Sequence, residues 1–315
     1  MLDELVAQAD LPPPVSAMPK VGRGFDNEIS TVVLAGGRRV VLRRFPQPRA
    51  PEWPRARFLE QHGLPAPALL AANERGSVIE FVDGDLLGDL IEAGRDTAGV
   101  WRMVGAAYRR VHAVGFPAGL AAEELAADRF VLTPVDPVEQ LHRLIDNARP
   151  GLHQLLPDCV DYLSDVHALV DDAATALRTA ASAFGHGDIN MWNVLITPEQ
   201  AVLIDWDHPR VADPAMEIAL LDKHASLFNE TGLPAAFFTG YGQPPPEPNT
   251  SLHRLVQTLE WATSSDWAEF ESDVALPTEL KHRVRGWLPI LVDYLRELPT
   301  HVDRLRTLTG TPRQA

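Results

Sequence analysis

The chain has 315 residues, 45% of them hydrophobic, which suffices for a large core in one domain or two lobes. With 28 basic against 43 acidic residues its net charge is −15, which argues against a nucleic-acid binder or a polybasic membrane-surface protein. The single cysteine, Cys159, excludes an internal disulfide and a thiolate zinc cluster. No basic-then-apolar leader opens the sequence, and no apolar run nears the roughly 20 residues that span a bilayer, so the expectation is a soluble, cytoplasmic protein.

Residues 1–85 hold 10 basic and 11 acidic side chains, and read mainly as strands. Glu28–Leu34 and Arg38–Arg43 are β-branched runs around Gly36-Gly37, the pattern of a hairpin. A helix is expected near Glu52–His62, closed by Gly63 and by the prolines at 65 and 67. A further strand, Ser77–Val82, runs into an Asp83-Gly84 turn. Residues 86–315 hold 18 basic and 32 acidic side chains, a solvated surface or a cleft that attracts cations.

Beyond residue 86 the apolar spacing turns helical: Val100, Val104, Ala107, Val111 and then Tyr162, Val166, Leu169, Ala173, Leu177. More helix is expected over Ala215–Phe228, Ser251–Ser264 and Thr278–Leu308. Neither an internal repeat nor a low-complexity tract is visible. The chain therefore divides into 1–84, a small sheet-rich lobe, and 85–315, a larger helical one.

One stretch breaks the helical pattern. It reads Gly185-His-Gly-Asp-Ile-Asn-Met-Trp-Asn193, then two short apolar strands about a Pro198 turn, then Ile204-Asp-Trp-Asp207. The hairpin brings Asn193 and Asp205 to one end, with Asp188 one loop upstream. Oxygen side chains so gathered suit Mg²⁺, which takes one or two carboxylates plus substrate phosphates. A carboxylate free of the metal then receives the proton of an attacking hydroxyl, the arrangement of phosphoryl transfer.

The set H-x-D-x₄-N, an 11-residue gap, then I-D-x-D resembles the aminoglycoside phosphotransferase and choline kinase group, relatives of protein kinases. The likeness runs from about residue 18 to 225, and Asp213-Pro214 matches the family's continuation. It implies an α+β, protein-kinase-like bilobal fold with a small antiparallel-sheet N-lobe and a mostly helical C-lobe. By this resemblance Asp188 is the catalytic base, Asn193 and Asp205 bind Mg²⁺, and His186 supports the loop. Gly22, Gly24 and Asn27 belong to a loop covering the phosphates of ATP or GTP. Glu80, Phe81 and Val82 form the hinge that meets the purine.

Arg43 stands where kinases carry the nucleotide lysine, and a guanidinium pairs with phosphate oxygens as a fork. Arg44 competes for that place, but adjacent strand residues face opposite ways. Glu52 is the expected partner acid, with Glu60 the runner-up. His112, at a recurring family position, reads as a packed helix residue. Trp206 and Asp207 replace the Phe-Gly of protein kinases, and without glycine a switching backbone flip is hindered.

The acceptor, a small hydroxyl compound, is expected to meet Trp192, Asp207, His208, Glu217, Glu260, Asp266 and Trp267. Rings among carboxylates suit a cationic molecule such as an amino-sugar antibiotic. Amino alcohols or sugars are the alternative acceptors, and an inactive nucleotide binder or a protein-directed kinase the alternative classes. No P-loop, His-Glu-x-x-His or Gly-x-Ser-x-Gly run occurs.

Overall fold

In the strand Glu28–Leu34 alternate side chains point to opposite faces, so Val32 and Leu34 are buried while their neighbours are only half-buried. The same alternation in Arg39–Arg44 sends Val40 and Leu42 to one face and Arg43 to the other. The computed structural model describes the chain except residues 20–26, 51, 123–124, 127–128, 230, 265–266, 268–277 and 311–315.

The chain begins with α1 (Leu2–Gln8) and β1 (Pro14–Pro19), followed by β2 (Glu28–Leu34), β3 (Arg39–Arg44), α2 (Trp53–Gln61), β4 (Leu69–Asn73) and β5 (Gly76–Glu80). The five strands form one antiparallel sheet in the order β1-β2-β3-β5-β4. Its β2–β3 turn is the expected one, with Gly36 and Gly37 at φ of 89° and 85°. Helix α1 was not anticipated. It lays Leu5 and Val6 against Val32, Leu34, Val40, Leu42, Ala71 and Val78, covering one face of the sheet.

The chain then leaves the sheet through β6 (Asp85–Leu86), α3 (Leu87–Glu92) and α4 (Ala98–His112). Buried Trp101, Val104, Ala107, Tyr108 and Val111 recur along one side of α4. Each of the buried valines contributes about 1.5–3 kcal/mol by leaving water. Short strands follow: β7 (Gly115–Phe116), β8 (Leu120–Ala121), β9 (Leu125–Ala126), β10 (Arg129–Phe130) and β11 (Thr133–Pro134). Next come α5 (Pro137–Leu155), a 3₁₀ turn at Pro157–Tyr162, α6 (Leu163–Asp172) and α7 (Ala174–Thr179). The run expected as one helix to Leu177 is thus interrupted at Ala173.

The centre of the molecule is β12 (Ser182–Gly185), β13 (Val194–Ile196), β14 (Ala201–Leu203) and β15 (Arg210–Ala212). β13 pairs with both β14 and β6, so the segment after the large sheet is tied directly to the central hairpin. The chain ends with α8 (Pro214–Asn229), α9 (Ala235–Tyr241), α10 (Glu247–Ala262), α11 (Thr278–Arg296) and α12 (Leu298–Thr309). The single helix expected over 278–308 is two, because Pro299 in the first turn of α12 starts a new helix after Glu297. Helix α9 packs on α4 where Gly105 meets the Phe237 carbonyl; any Cβ there would overlap it.

A large apolar core joins α3, α4, α8 and α9 to the central strands, through Leu87, Trp101, Tyr108, Phe184, Met191, Leu203, Trp206 and Phe237. A second, formed by α5, α6, α10, α11 and α12, holds the rest of the helical part. The fold is mixed α+β, with an antiparallel five-stranded sheet and a mostly helical remainder. Among the described residues no helix is long and apolar enough to cross a membrane.

Candidate active site

The turn between β12 and β13 carries the polar residues that the strands themselves cannot bury. Gly187, at φ 82°, makes this turn possible, since a Cβ there would run into the His208 carbonyl. His186 is buried, places Nε2 2.8 Å from the Ile204 carbonyl and packs on the Trp206 ring. Ile204 N–H in turn donates to the Asn193 carbonyl at 2.9 Å, extending the hairpin until Asn193 and Asp205 lie at its mouth.

Asp188 is half-buried and accepts a hydrogen bond from Asn193 Nδ2 at 2.8 Å on Oδ2. The same amide donates to the Asp188 carbonyl at 3.1 Å. Asp205 adopts φ 63°, a left-handed conformation that aspartate tolerates better than most residues. Burial raises its carboxyl, an effect opposed by Arg43 and reinforced by Asp207 and Asp188. Asp205 Oδ2 and Asn193 Oδ1 take no hydrogen bond among the described residues, so hard oxygen donors for a cation remain in place.

Arg43 organises the other side. Its Nη1 donates to Glu52 at 3.1 Å and to Asp207 at 3.2 Å, and its Nη2 to Asp205 at 2.9 Å and Asp207 at 2.7 Å. Arg49 and Arg55 complete the cluster, each donating to both Glu52 and Asp207. Burial alone would lower the Arg43 pKa, but the charges of Glu52, Asp207 and Asp205 raise it. Asp207, against its own desolvation, is held well below the usual carboxylate range by Arg43, Arg55 and Arg49. Arg44 is exposed and pairs with Glu28, and Glu60 is exposed too.

This cluster sets up a graded test. Arg43→Met removes one of three arginines from Glu52 and Asp207, and is expected to cost about 1.5–3 kcal/mol of stability. Arg43→Lys keeps the charge but cannot bridge three carboxylates at once. It should fold, with a smaller loss of stability than Arg43→Met, as read by denaturant unfolding.

Beneath the loop, Glu217 on α8 is fully buried and accepts the Gly187 N–H at 2.9 Å. His112 places Nε2 2.7 Å from Glu217 and Nδ1 2.8 Å from the Tyr241 hydroxyl. Burial would raise the Glu217 carboxyl, yet the His112 hydrogen bond and charge, the Gly187 N–H and His186 hold it below its ordinary value. Sequence reasoning missed this chain of contacts, as it missed Arg49 and Arg55. A buried Glu on a helix looks like any other helical Glu until its neighbours are known.

Several residues expected to meet the acceptor face elsewhere. Asp207 is spent on three arginines, and Glu217 lies under the loop, lining only a void of about 10 Å³. Trp192 packs against Phe228 and Trp287, and Trp267 donates from Nε1 to the Trp261 carbonyl at 2.7 Å. Glu260 is exposed. His208 does line a cavity of about 860 Å³ beside Asp188, together with Gly187, Arg210, Gln140, Thr133 and Val135. Gly22, Gly24 and Asp266 lie outside the described residues. Asn27 donates weakly to Asp207 at 3.5 Å, and Phe81 lies under Arg39.

The aromatic stretch also hides a cation. Lys223 is 4% exposed, with its ammonium 4.0 Å from the centre of the Trp261 ring. Burial, with the charge of Arg254 added, pushes it down to about 7, while Glu260 opposes. A lysine lowered in the fold destabilises below about pH 7, and this cost fades as pH rises towards its unfolded value near 10.4. Lys223→Met is therefore expected to gain about 1–4 kcal/mol at pH 7 and progressively less at alkaline pH, measured by denaturant titration.

The profile of the phosphotransferase enzyme family, APH, matches residues 18–251. The chain belongs to the phosphotransferase enzyme family. No curated protein matches it in sequence. Among solved structures, this phosphotransferase resembles a choline/ethanolamine kinase family protein from Mesorhizobium loti, 17% identical with a TM-score of 0.62 over 96% of this chain and 97% of that one. A thermostable mutant of an aminoglycoside phosphotransferase, in complex with ADP and hygromycin B, is 14% identical, with a TM-score of 0.57 over 99% and 98%. An ethanolamine kinase from Plasmodium vivax is 12% identical, with a TM-score of 0.56 over 90% and 83%. At these identities the likeness is one of fold, and it agrees with the sheet and helices described above.

Proposed function

We propose that this small-molecule phosphotransferase moves the terminal phosphoryl group of ATP or GTP to a hydroxyl of its acceptor, with Mg²⁺. The observation that carries the reading is the joining of Asp188, Asn193 and Asp205 to Arg43 at one place. Asp188 is assigned as the base that takes the hydroxyl proton, with Asn193 orienting it. Asn193 and Asp205 would hold the metal through the oxygens left without hydrogen bonds, and Mg²⁺ would neutralise phosphate charge. Arg43, steadied by Glu52, is assigned to the nucleotide phosphates. Residues 22–27 would cover those phosphates, and residues 80–82 meet the base.

In this reading residues 1–84 form the nucleotide lobe and 85–315 the lobe carrying the acceptor, in a protein of the cytoplasm. The cavity beside Asp188 supports a particular kind of acceptor. Apart from Asp188 its described lining holds no carboxylate, but it includes Arg210 and His208. Among the described residues, the acidic balance of 86–315 is thus not gathered there. A neutral or acid-bearing hydroxyl compound suits such a lining better than a polycation. The neighbours that carry hygromycin B or are named for ethanolamine keep an antibiotic or an amino alcohol among the acceptors to try.

An ADP-release assay with Mg-ATP and Mg-GTP tests this, run across antibiotics, amino alcohols, sugars and hydroxy acids. Release that depends on one acceptor and is lost in Asp188→Asn supports the reading. Nucleotide binding with no transfer to any member of the panel favours the inactive binder, and transfer to a protein substrate the third class.

A further inference from the structure

Helices α5 and α6 carry the same spacing, His142-x₃-Asp146 and His167-x₃-Asp171, and turn it towards each other. Four residues apart, each histidine and its aspartate share a helix face. Leu141, Ile145, Val166 and Val170 are buried in the helical core and hold the two helices in place. The pairing is crosswise. His142 Nε2 lies 3.0 Å from Asp171 Oδ1, and His167 Nε2 lies 3.2 Å from Asp146 Oδ1. The two ring planes lie within 20° of each other and meet edge to edge, with centroids 4.9 Å apart and Nδ1 atoms 2.6 Å from each other.

An ionised carboxylate only accepts hydrogen bonds, so each Nε2 carries a proton. A neutral ring protonated at Nε2 has a lone pair on Nδ1. Two such lone pairs then face each other, an arrangement that calls for a cation between them. A histidine that gives one N–H to a carboxylate and aims its other nitrogen at a shared point has the outer-shell pattern of a metal ligand.

We propose that His142 and His167 bind a divalent transition metal of the zinc class through Nδ1, with Asp171 and Asp146 orienting the rings. Imidazole nitrogens select zinc, copper or nickel over magnesium. Zinc–nitrogen bonds of about 2.0–2.1 Å place two tetrahedral nitrogens about 3.3 Å apart, so the rings open by about 0.7 Å on loading. The two side chains are 26% and 23% exposed, which leaves the ion a way in and room for water ligands. Among the described residues no third His, Cys, Asp or Glu already converges on the same point, so water completes the shell. A proton shared by the two Nδ1 atoms leaves as the metal enters.

The test is a zinc titration of the full chain by calorimetry at pH 7.5 and pH 5, with thermal unfolding alongside. Wild type is expected to take one more zinc than His142→Ala, His142→Gln or His167→Ala, and to lose it at pH 5. Asp205→Asn should keep this equivalent, which separates it from the carboxylates near Asp188. Asp146→Asn should weaken it about 10–100-fold, and zinc should raise the unfolding temperature only where both histidines remain. Retained ADP release shows that the histidine variants are folded. Equal zinc stoichiometry and affinity in wild type and the histidine variants would overturn the proposal. So would a stability change that follows pH through the pair with no difference in zinc, which would make it a proton site alone.

Discussion

Asp188→Asn is expected to lower turnover by about 10²–10⁴-fold, the scale of losing a general base, while stability stays near wild type. The amide is close in size to the carboxylate and can still accept from Asn193, whose 2.8 Å hydrogen bond holds the side chain in place. What it cannot do is take the proton from an attacking hydroxyl. On the proposed assignment of Arg43 to the phosphates, nucleotide affinity should change little, because Arg43 and its carboxylates are untouched. Single-turnover rates, nucleotide titration and thermal unfolding on the same preparation separate the three quantities. A turnover near wild type would remove Asp188 from the chemistry.

Glu217→Ala is expected to cost about 3–5 kcal/mol of stability and much of the activity as well. The change leaves the Gly187 N–H without its acceptor and strands His112 in the core, where desolvated polar groups are expensive. Gly187 directly precedes Asp188, so the loss reaches the site through the backbone. Glu217→Gln keeps an acceptor for Gly187 and should recover part of the turnover, which a purely structural loss would not predict. The carboxyl is depressed in the fold, so its stabilisation is complete above the ordinary carboxylate range, near pH 4.3, and is lost as pH falls through the folded value. Wild type should therefore lose stability on acidification more steeply than Glu217→Gln, as denaturant unfolding between pH 3 and 7 will show.

Much of the fold follows from local pattern. The Gly36-Gly37 hairpin, the apolar stripe of α4 and the hairpin joining Asn193 to Asp205 are visible as spacing, because turn chemistry and side-chain periodicity act over a few residues. Helix α1 was missed: seven residues with two buried side chains make a weak signal, and the sheet it covers is formed from sequence far downstream. The break between α11 and α12 was legible in Pro299 and was read through.

The arginine cluster marks where local pattern stops. Arg43 could be singled out from the place it shares with the kinase lysine, and Glu52 from its position eleven residues before Gly63 in the expected helix. That Asp207 closes the cluster with Arg49 and Arg55 depends on residues more than 150 positions apart meeting in space. Likewise the acidic balance beyond residue 86 suggested a cationic acceptor, but composition says how many carboxylates exist and not which way they face.

By itself, then, the sequence determined the class of chemistry: His186, Asp188, Asn193 and Asp205 fall at spacings that a single loop and hairpin bring together, so short-range geometry suffices. Only the tertiary structure decided which charged groups are partners and which are free. Burial and ion pairing are set by contacts between distant segments, and it is these contacts that bind Asp207 to three arginines, seat Glu217 beneath Gly187 and leave Arg210 and His208 beside the cavity.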